Sequence, residues 1–262
     1  MRQYFLTTPR LFLTRLRTRL AEPHSKPDMQ LHLPLDAQVL PELDALEGAD
    51  APPVRAAVRA LMNEPGARVL IVGGRGAGKS HTLTAVCREA AQRSMRVAMV
   101  PLAHAEFASA VSLDEMWQYD LLCVDDIQSL AGDTARERAL FHCYNECEAS
   151  GTRLLMSARA TPAALGIQLP DLVSRLSACV LLQMRALDDV ALQRILMARA
   201  AKLGFGLPES VCQYLLRRVS RDTHDLDKLL ARVAQLSLAE QRPVSLVAVR
   251  EWLQAGRLDS DA

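Results

Sequence analysis

Aromatic residues are scarce, only 4% of the 262-residue chain. That scarcity argues against a surface that holds single-stranded nucleic acid by base stacking. The six cysteines contain no C-x-x-C pair, so neither a redox dithiol nor a zinc ribbon is encoded, and buried thiols in a reduced cytoplasmic protein are expected. Cys143 and Cys147 lie four apart beside His142, but no second ligand pair at matching spacing follows, which speaks against a metal there. No apolar run approaches membrane-spanning length, and the N-terminal Leu and Phe residues are too broken by arginines for a signal peptide. A large charge excess is missing as well. The formal net charge is +1, with six Lys/Arg against Glu22 and Asp28 in residues 1–28 and 25 basic against 28 acidic residues in 29–262. The main body is therefore not a strongly cationic nucleic-acid binder, and DNA contact is expected to be indirect or weak.

What is present is a large apolar fraction, 50% of the residues, enough for a sizeable core. The apolar runs RVLIVGG, RVAMVPLA, DLLCVDDI, TRLLMSA and CVLLQM read as buried strands, alternating with helical segments such as KSHTLTAVCREAAQR and TARERALFHCYNECEAS. This alternation predicts an α/β fold with a five-stranded, mostly parallel sheet covered on both faces. From Asp188 onward only helical periodicity remains, broken by GLP, RDTH and RP, which predicts a small all-helical domain. The expected division is 40–187 for the α/β domain and 188–258 for the helical one. Arg217, Arg218 and Arg221 form a basic cluster that could touch DNA, although a solvated helix face is the favoured reading because Asp222, Asp225 and Asp227 follow closely.

The segment Gly73, Gly74, Arg75, Gly76, Ala77, Gly78, Lys79, Ser80 fits G-x-x-x-x-G-K-[ST] and lies between an expected strand and an expected helix. Glycines there let the backbone curl so that N–H groups point at phosphate oxygens beside the positive end of the helix. Lys79 would sit on the outer phosphates, and the Ser80 hydroxyl would face Mg²⁺. The strand ending in Asp125 and Asp126 should emerge beside this loop, with Asp125 on the metal side, partly through water, and Asp126 orienting a water. ATP or ADP with Mg²⁺ is the expected ligand.

A phosphate loop, a VDDIQSL segment and an all-helical C-terminal part together resemble the AAA+ ATPases, and within them the bacterial replication initiator DnaA and its relatives. GGRGAGKSHTL is similar to the initiator's phosphate loop including His81, and LPDLVSRL is similar to the segment carrying its arginine finger, which makes Arg175 the implied catalytic residue. Read without the resemblance, Arg175 would be a surface arginine paired with Asp171. Ser157 and Arg159 stand where the family tends to sense the γ-phosphate. His224 stands where it places a nucleotide-reaching arginine, and an imidazole is the weaker phosphate partner. Weak or absent ATPase activity of the protein's own is therefore implied.

No helix-turn-helix domain is expected after Arg257, and MQLHLPL precedes the α/β part. QLHLPL resembles the peptide by which replication proteins bind the DNA polymerase III beta sliding clamp. Gln30 would anchor, Leu31, Leu33 and Leu35 would fill apolar pockets, and Pro34 would limit the entropy lost on docking. A truncated initiator relative with such a peptide at residues 29–39 resembles the Hda family of regulatory inactivators of DnaA. The resemblance implies a negative regulator of initiation that binds the clamp and stimulates hydrolysis of ATP held by DnaA, with a homo-oligomer as a further option. Translation is expected to start at Met29, which leaves residues 1–28 untranslated or disordered. A helicase loader would need an N-terminal helicase-binding domain, for which residues 1–39 are too short, and a stand-alone ATPase would need the complete hydrolytic set.

Overall fold

The computed structural model describes residues 42–104, 113–218 and 223–258, and of residues 223–225 and 227 the backbone alone. Five short apolar strands form its centre: β1 (Arg68–Val72), β2 (Val97–Pro101), β3 (Leu121–Asp125), β4 (Arg153–Ala158) and β5 (Val180–Gln183). They pair in the order β2-β3-β4-β1-β5, and every pairing is parallel. The strands are hydrophobic throughout because both faces of the sheet are covered.

Residues alternate between the two faces, as the pleat requires. Leu70, Val72, Leu122, Val124, Leu154 and Met156 pack on one side with α3 (Thr134–Ser150) and α4 (Pro170–Ser177). Val69, Ile71, Leu121, Cys123 and Leu155 pack on the other with α1 (Ala51–Asn63) and α2 (Lys79–Gln92). Asp133 starts α3 by accepting hydrogen bonds from the Ala135 and Arg136 N–H groups, and Gly151 ends it in the left-handed region at φ 76°. β5 is an edge strand, with Val180 58% and Leu181 43% exposed.

A four-helix unit follows, made of α5 (Asp189–Lys202), α6 (Glu209–Leu216), α7 (Thr223–Ala239) and α8 (Leu246–Gln254). Its own core contains Leu196, Val211, Leu215, Leu230, Val233 and Trp252. The Trp252 indole N–H donates to Glu240, which lets a large ring be buried without stranding its donor. The α/β fold and the helical C-terminal unit are both as expected from the sequence.

Between the two units runs the segment 42–50, whose carboxylates reach both. Asp50 accepts from the Arg185 N–H and guanidinium, each at 2.8 Å. Glu47 pairs with Arg194 of α5 at 3.2 Å. Glu42 contacts Lys202 of α5 at 3.4 Å and Arg88 of α2 at 3.5 Å.

Glu137 in the first turn of α3 is fully buried, and its carboxylate accepts from the Gly132, Gln168 and Leu169 N–H groups. It therefore fixes the loop that delivers α4. Replacing Glu137 by Ala strands these donors and should destabilise the fold by about 2–4 kcal/mol. Urea denaturation checks this, and an unchanged midpoint would refute it.

Candidate nucleotide site

The phosphate loop leaves the sheet at the carboxyl end of β1. Gly73 is required there by space: a Cβ on it would lie 2.2 Å from the Met184 carbonyl oxygen, just beyond β5. The Met184 N–H in turn donates to Val72 O at 2.7 Å, so the loop's first residue is clamped between β1 and the end of β5. Gly76 and Gly78 take φ of 75° and 86°, the left-handed turns that aim successive backbone groups inward. Ala77 is buried and Arg75 exposed at the loop.

Lys79 opens α2 and is 7% exposed. Its ammonium donates to the carbonyls of Gly73 at 2.8 Å and Gly74 at 2.9 Å. A cation is thereby held over the curl of the loop at the positive end of a helix, where phosphate oxygens would be favoured.

Register places Ser157 of β4 level with Ile71 of β1, and Val124 of β3 level with Met156. The next residue of β3, Asp125, therefore lies beside Ser157. The Ser157 hydroxyl donates to Asp125 Oδ1 in a short hydrogen bond and accepts from the Asp126 N–H at 3.0 Å. Ser80 also hydrogen-bonds Asp125. Burial pushes the Asp125 carboxyl above its ordinary range and the Asp126 charge adds to this, while the Ser157 and Ser80 hydrogen bonds and the Lys79 charge oppose it. A carboxylate 5% exposed beside a serine hydroxyl is an oxygen donor set that suits Mg²⁺. The residues present thus fit the implied metal.

Asp126 adopts a left-handed conformation, φ 59° and ψ 51°, and its carboxylate accepts from the Gln128 side-chain amide at 2.6 Å. The Gln128 side-chain Oε1 accepts from the Arg159 N–H at 3.1 Å. Gln128 and Ser157, neither placed in the site from sequence as a link, join the ends of β3 and β4.

Across the phosphate loop a cavity is lined by Leu46, Ala77, Met184, Leu187 and Ile195, with His81 and Arg199. The apolar walls and adjoining phosphate loop give it the character of a base-binding pocket. One guanidinium nitrogen of Arg199 lies 3.3 and 3.2 Å from the two His81 ring nitrogens. Burial, then the charges of Arg199 and Lys202, push the His81 imidazole down to about 3. The arginine that the helical unit places against the phosphate-loop helix is thus Arg199 of α5, which sequence reading did not single out. His224 belongs to α7 by its backbone, and its side chain lies outside the described residues, as do Gln30, Leu31, Leu33, Pro34 and Leu35.

Arg175 lies in α4, with its side chain 42% exposed, and pairs with Glu148 Oε2 at 2.7 Å rather than with Asp171. The other Glu148 oxygen holds Arg68 at 3.2 Å, and both guanidinium carbons lie over the Tyr144 ring, at 5.1 Å for Arg68 and 5.8 Å for Arg175. Arg68 begins β1 whereas the phosphate loop follows its end. The Arg175 guanidinium is accordingly held near the amino-terminal end of the strands, opposite its own phosphate loop. Cys143 and Cys147 are buried and unbridged, as are the other four cysteines, and among the described residues no three potential ligands converge on a metal.

The profile of the bacterial DnaA ATPase domain matches residues 44–183, more than half of the chain. The chain belongs to the DnaA ATPase family. The Hda lid-domain profile matches residues 188–253, so this is an Hda/DnaA-related AAA+ protein whose helical unit is a lid of the Hda type. Domain III of the Thermotoga maritima replication initiation protein DnaA superposes with a TM-score of 0.67 at 21% identity, covering 78% of this chain and 92% of that one. AMPPCP-bound DnaA from Aquifex aeolicus gives 0.60 at 22%, covering 75% and 65%. A Thermotoga maritima RuvB variant gives 0.62 at 16%, covering 82% and 71%. At these identities the likeness is one of fold. Among the described residues no helix is long and apolar enough to cross a membrane.

Two outcomes follow from the titrating groups. The folded pKa of Asp125 is raised, so its charge opposes folding once pH exceeds the carboxylate range. Asp125→Asn should raise the thermal midpoint at neutral pH by about 2–4 °C while weakening Mg²⁺-dependent nucleotide binding, both readable by fluorescence. The folded pKa of His81 is lowered, so stability is intact above its ordinary pKa near 6.5 and is lost as pH falls from there toward 3. Its share at about pH 5 is roughly 2 kcal/mol, and His81→Gln should flatten that part of the denaturation profile.

Proposed function

We propose that the protein is a negative regulator of replication initiation. It binds the sliding clamp through Gln30 to Leu35 and stimulates hydrolysis of ATP bound to DnaA, using Arg175. The units 29–39, 40–187 and 188–258 then serve as clamp peptide, nucleotide-binding domain and lid. The observation that carries this reading is the position of Arg175. It is half-exposed, held by Glu148 and Tyr144, and near the amino-terminal end of the strands, away from the protein's own phosphate loop. A guanidinium so placed can reach a neighbouring protein's nucleotide and cannot serve its own.

In this reading Lys79 and the N–H groups of residues 73–80 hold the phosphates of ADP or ATP, and Ser80 with Asp125 holds Mg²⁺. The phosphate loop and the cavity beside the lid would hold such a nucleotide, whose binding would add charge and apolar contact there and so would influence the angle between core and lid. The guanidinium of Arg175, offered to the partner's γ-phosphate, stabilises charge that builds there during transfer, an effect worth roughly 10³ to 10⁵ in rate where such fingers act. The Asp126 carboxylate, engaged by Gln128, fits weak intrinsic turnover better than a freely placed base does.

Two substitutions separate the parts. Arg175→Ala should retain clamp binding and lose stimulated hydrolysis on clamp-loaded DNA, whereas Gln30→Ala should lose clamp capture. Undiminished stimulation by Arg175→Ala removes the finger from the mechanism. Failure of the intact protein to bind purified clamp removes the address.

A further inference from the structure

The lid has a charge distribution that the nucleotide site does not use. Residues 188–258 contain eleven Lys/Arg against eight Asp/Glu, whereas residues 29–187 contain fourteen against eighteen. The excess is concentrated by the fold. Tyr214 of α6 rests against the lid core, with the Arg218 guanidinium over its ring at 4.7 Å and that of Arg250, from α8, at 5.2 Å. Arg217 is exposed next to them, as are Arg218 and Arg250. Among the described residues these three arginines meet no carboxylate, while Arg242 and Arg257 of the same unit pair with Glu251 and Glu240.

Arg217 and Arg218 by themselves read as a solvated helix face. The structure adds an arginine 32 positions further along the chain and a rigid ring that spaces two guanidinium groups. Both sit on the ring at a cation–π distance, which fixes their orientation with less entropy left to lose on docking. Because guanidinium groups occupy the ring, Tyr214 is not a stacking platform for an unpaired base. What the surface offers is fixed, forked hydrogen-bond donors with full charge, the chemistry that recognises phosphate oxygens.

We propose that the face of the lid formed by Arg217, Arg218 and Arg250 around Tyr214 is a docking surface for the phosphate backbone of duplex DNA. The contact is charge-driven and blind to sequence, since phosphate oxygens carry no sequence information. It is independent of clamp capture and of the action of Arg175, so it can be tested on the protein alone.

The test is fluorescence anisotropy of a short labelled duplex of arbitrary sequence, titrated with the full chain and with a variant carrying Arg217→Ala, Arg218→Ala and Arg250→Ala, at several salt concentrations. The basic residues 1–28 are common to both proteins and cancel in the comparison. The variant should bind about tenfold or more weakly at low salt, and the slope of log affinity against log salt should fall by about 3, roughly one per lost phosphate contact. Because the three side chains are exposed, nucleotide binding and thermal midpoint should be unchanged, which separates lost docking from lost folding. Equal affinity and equal slope overturn the proposal. So does a variant that keeps DNA binding but loses capture of purified clamp or DnaA, which would assign the face to an acidic protein surface.

Discussion

The site is organised by one buried carboxylate. Asp125 emerges at the end of β3 with almost no access to water, held between the hydroxyls of Ser80 on the phosphate loop and Ser157 on β4. Its charge is costly in that position, and burial raises its proton affinity. The two serines and Lys79 offset part of the cost, and a divalent cation would offset more. The parallel register that brings β3, β4 and β1 level is thus used at their carboxyl ends to converge a carboxylate, two hydroxyls and an ammonium on one place, as open α/β sheets do.

The lid meets this place from the side. Arg199 of α5 contacts a neutral, part-buried His81 on the helix that carries Lys79 and Ser80, and the charge of Lys202 adds to its effect. The segment 42–50 ties α5 back to the core by ion pairs with Arg194 and Lys202. These pairs are partly exposed, so each contributes little alone. Their value lies in orienting the lid.

The strands were legible because each is an uninterrupted apolar run ended by glycine, aspartate or a polar turn, and parallel strands buried on both faces leave that signature. The lid helices were legible by their period and by the breaks GLP, RDTH and RP between them, whereas the caps at Asp188 and Ser245 came to light only in the fold. The convergence of Lys79, Ser80 and Asp125 followed from a spaced motif between a strand and a helix. Other parts of the site were not legible. Arg199 is one of three basic residues in α5, with Arg194 and Lys202, and has no sequence mark to set it apart. The partner of Arg175, Glu148, lies 27 residues away on another helix, so a carboxylate one turn off was the natural but incorrect choice. Gln128 follows the aspartates as an ordinary turn residue, and only the fold shows it bridging Asp126 to Arg159.

The contact between Gly73 and Met184 has a mechanical meaning. The loop's first residue and the residue just beyond β5 are so close that no side-chain carbon fits between them, and Met184 is hydrogen-bonded to β1 one residue earlier. Five residues after Met184 the lid begins at Asp189. The phosphate loop and the base of the lid therefore share a joint without slack. A displacement of a few tenths of an ångström in the loop has no soft contact in which to dissipate and must be felt by residues 184–188, which lead into α5.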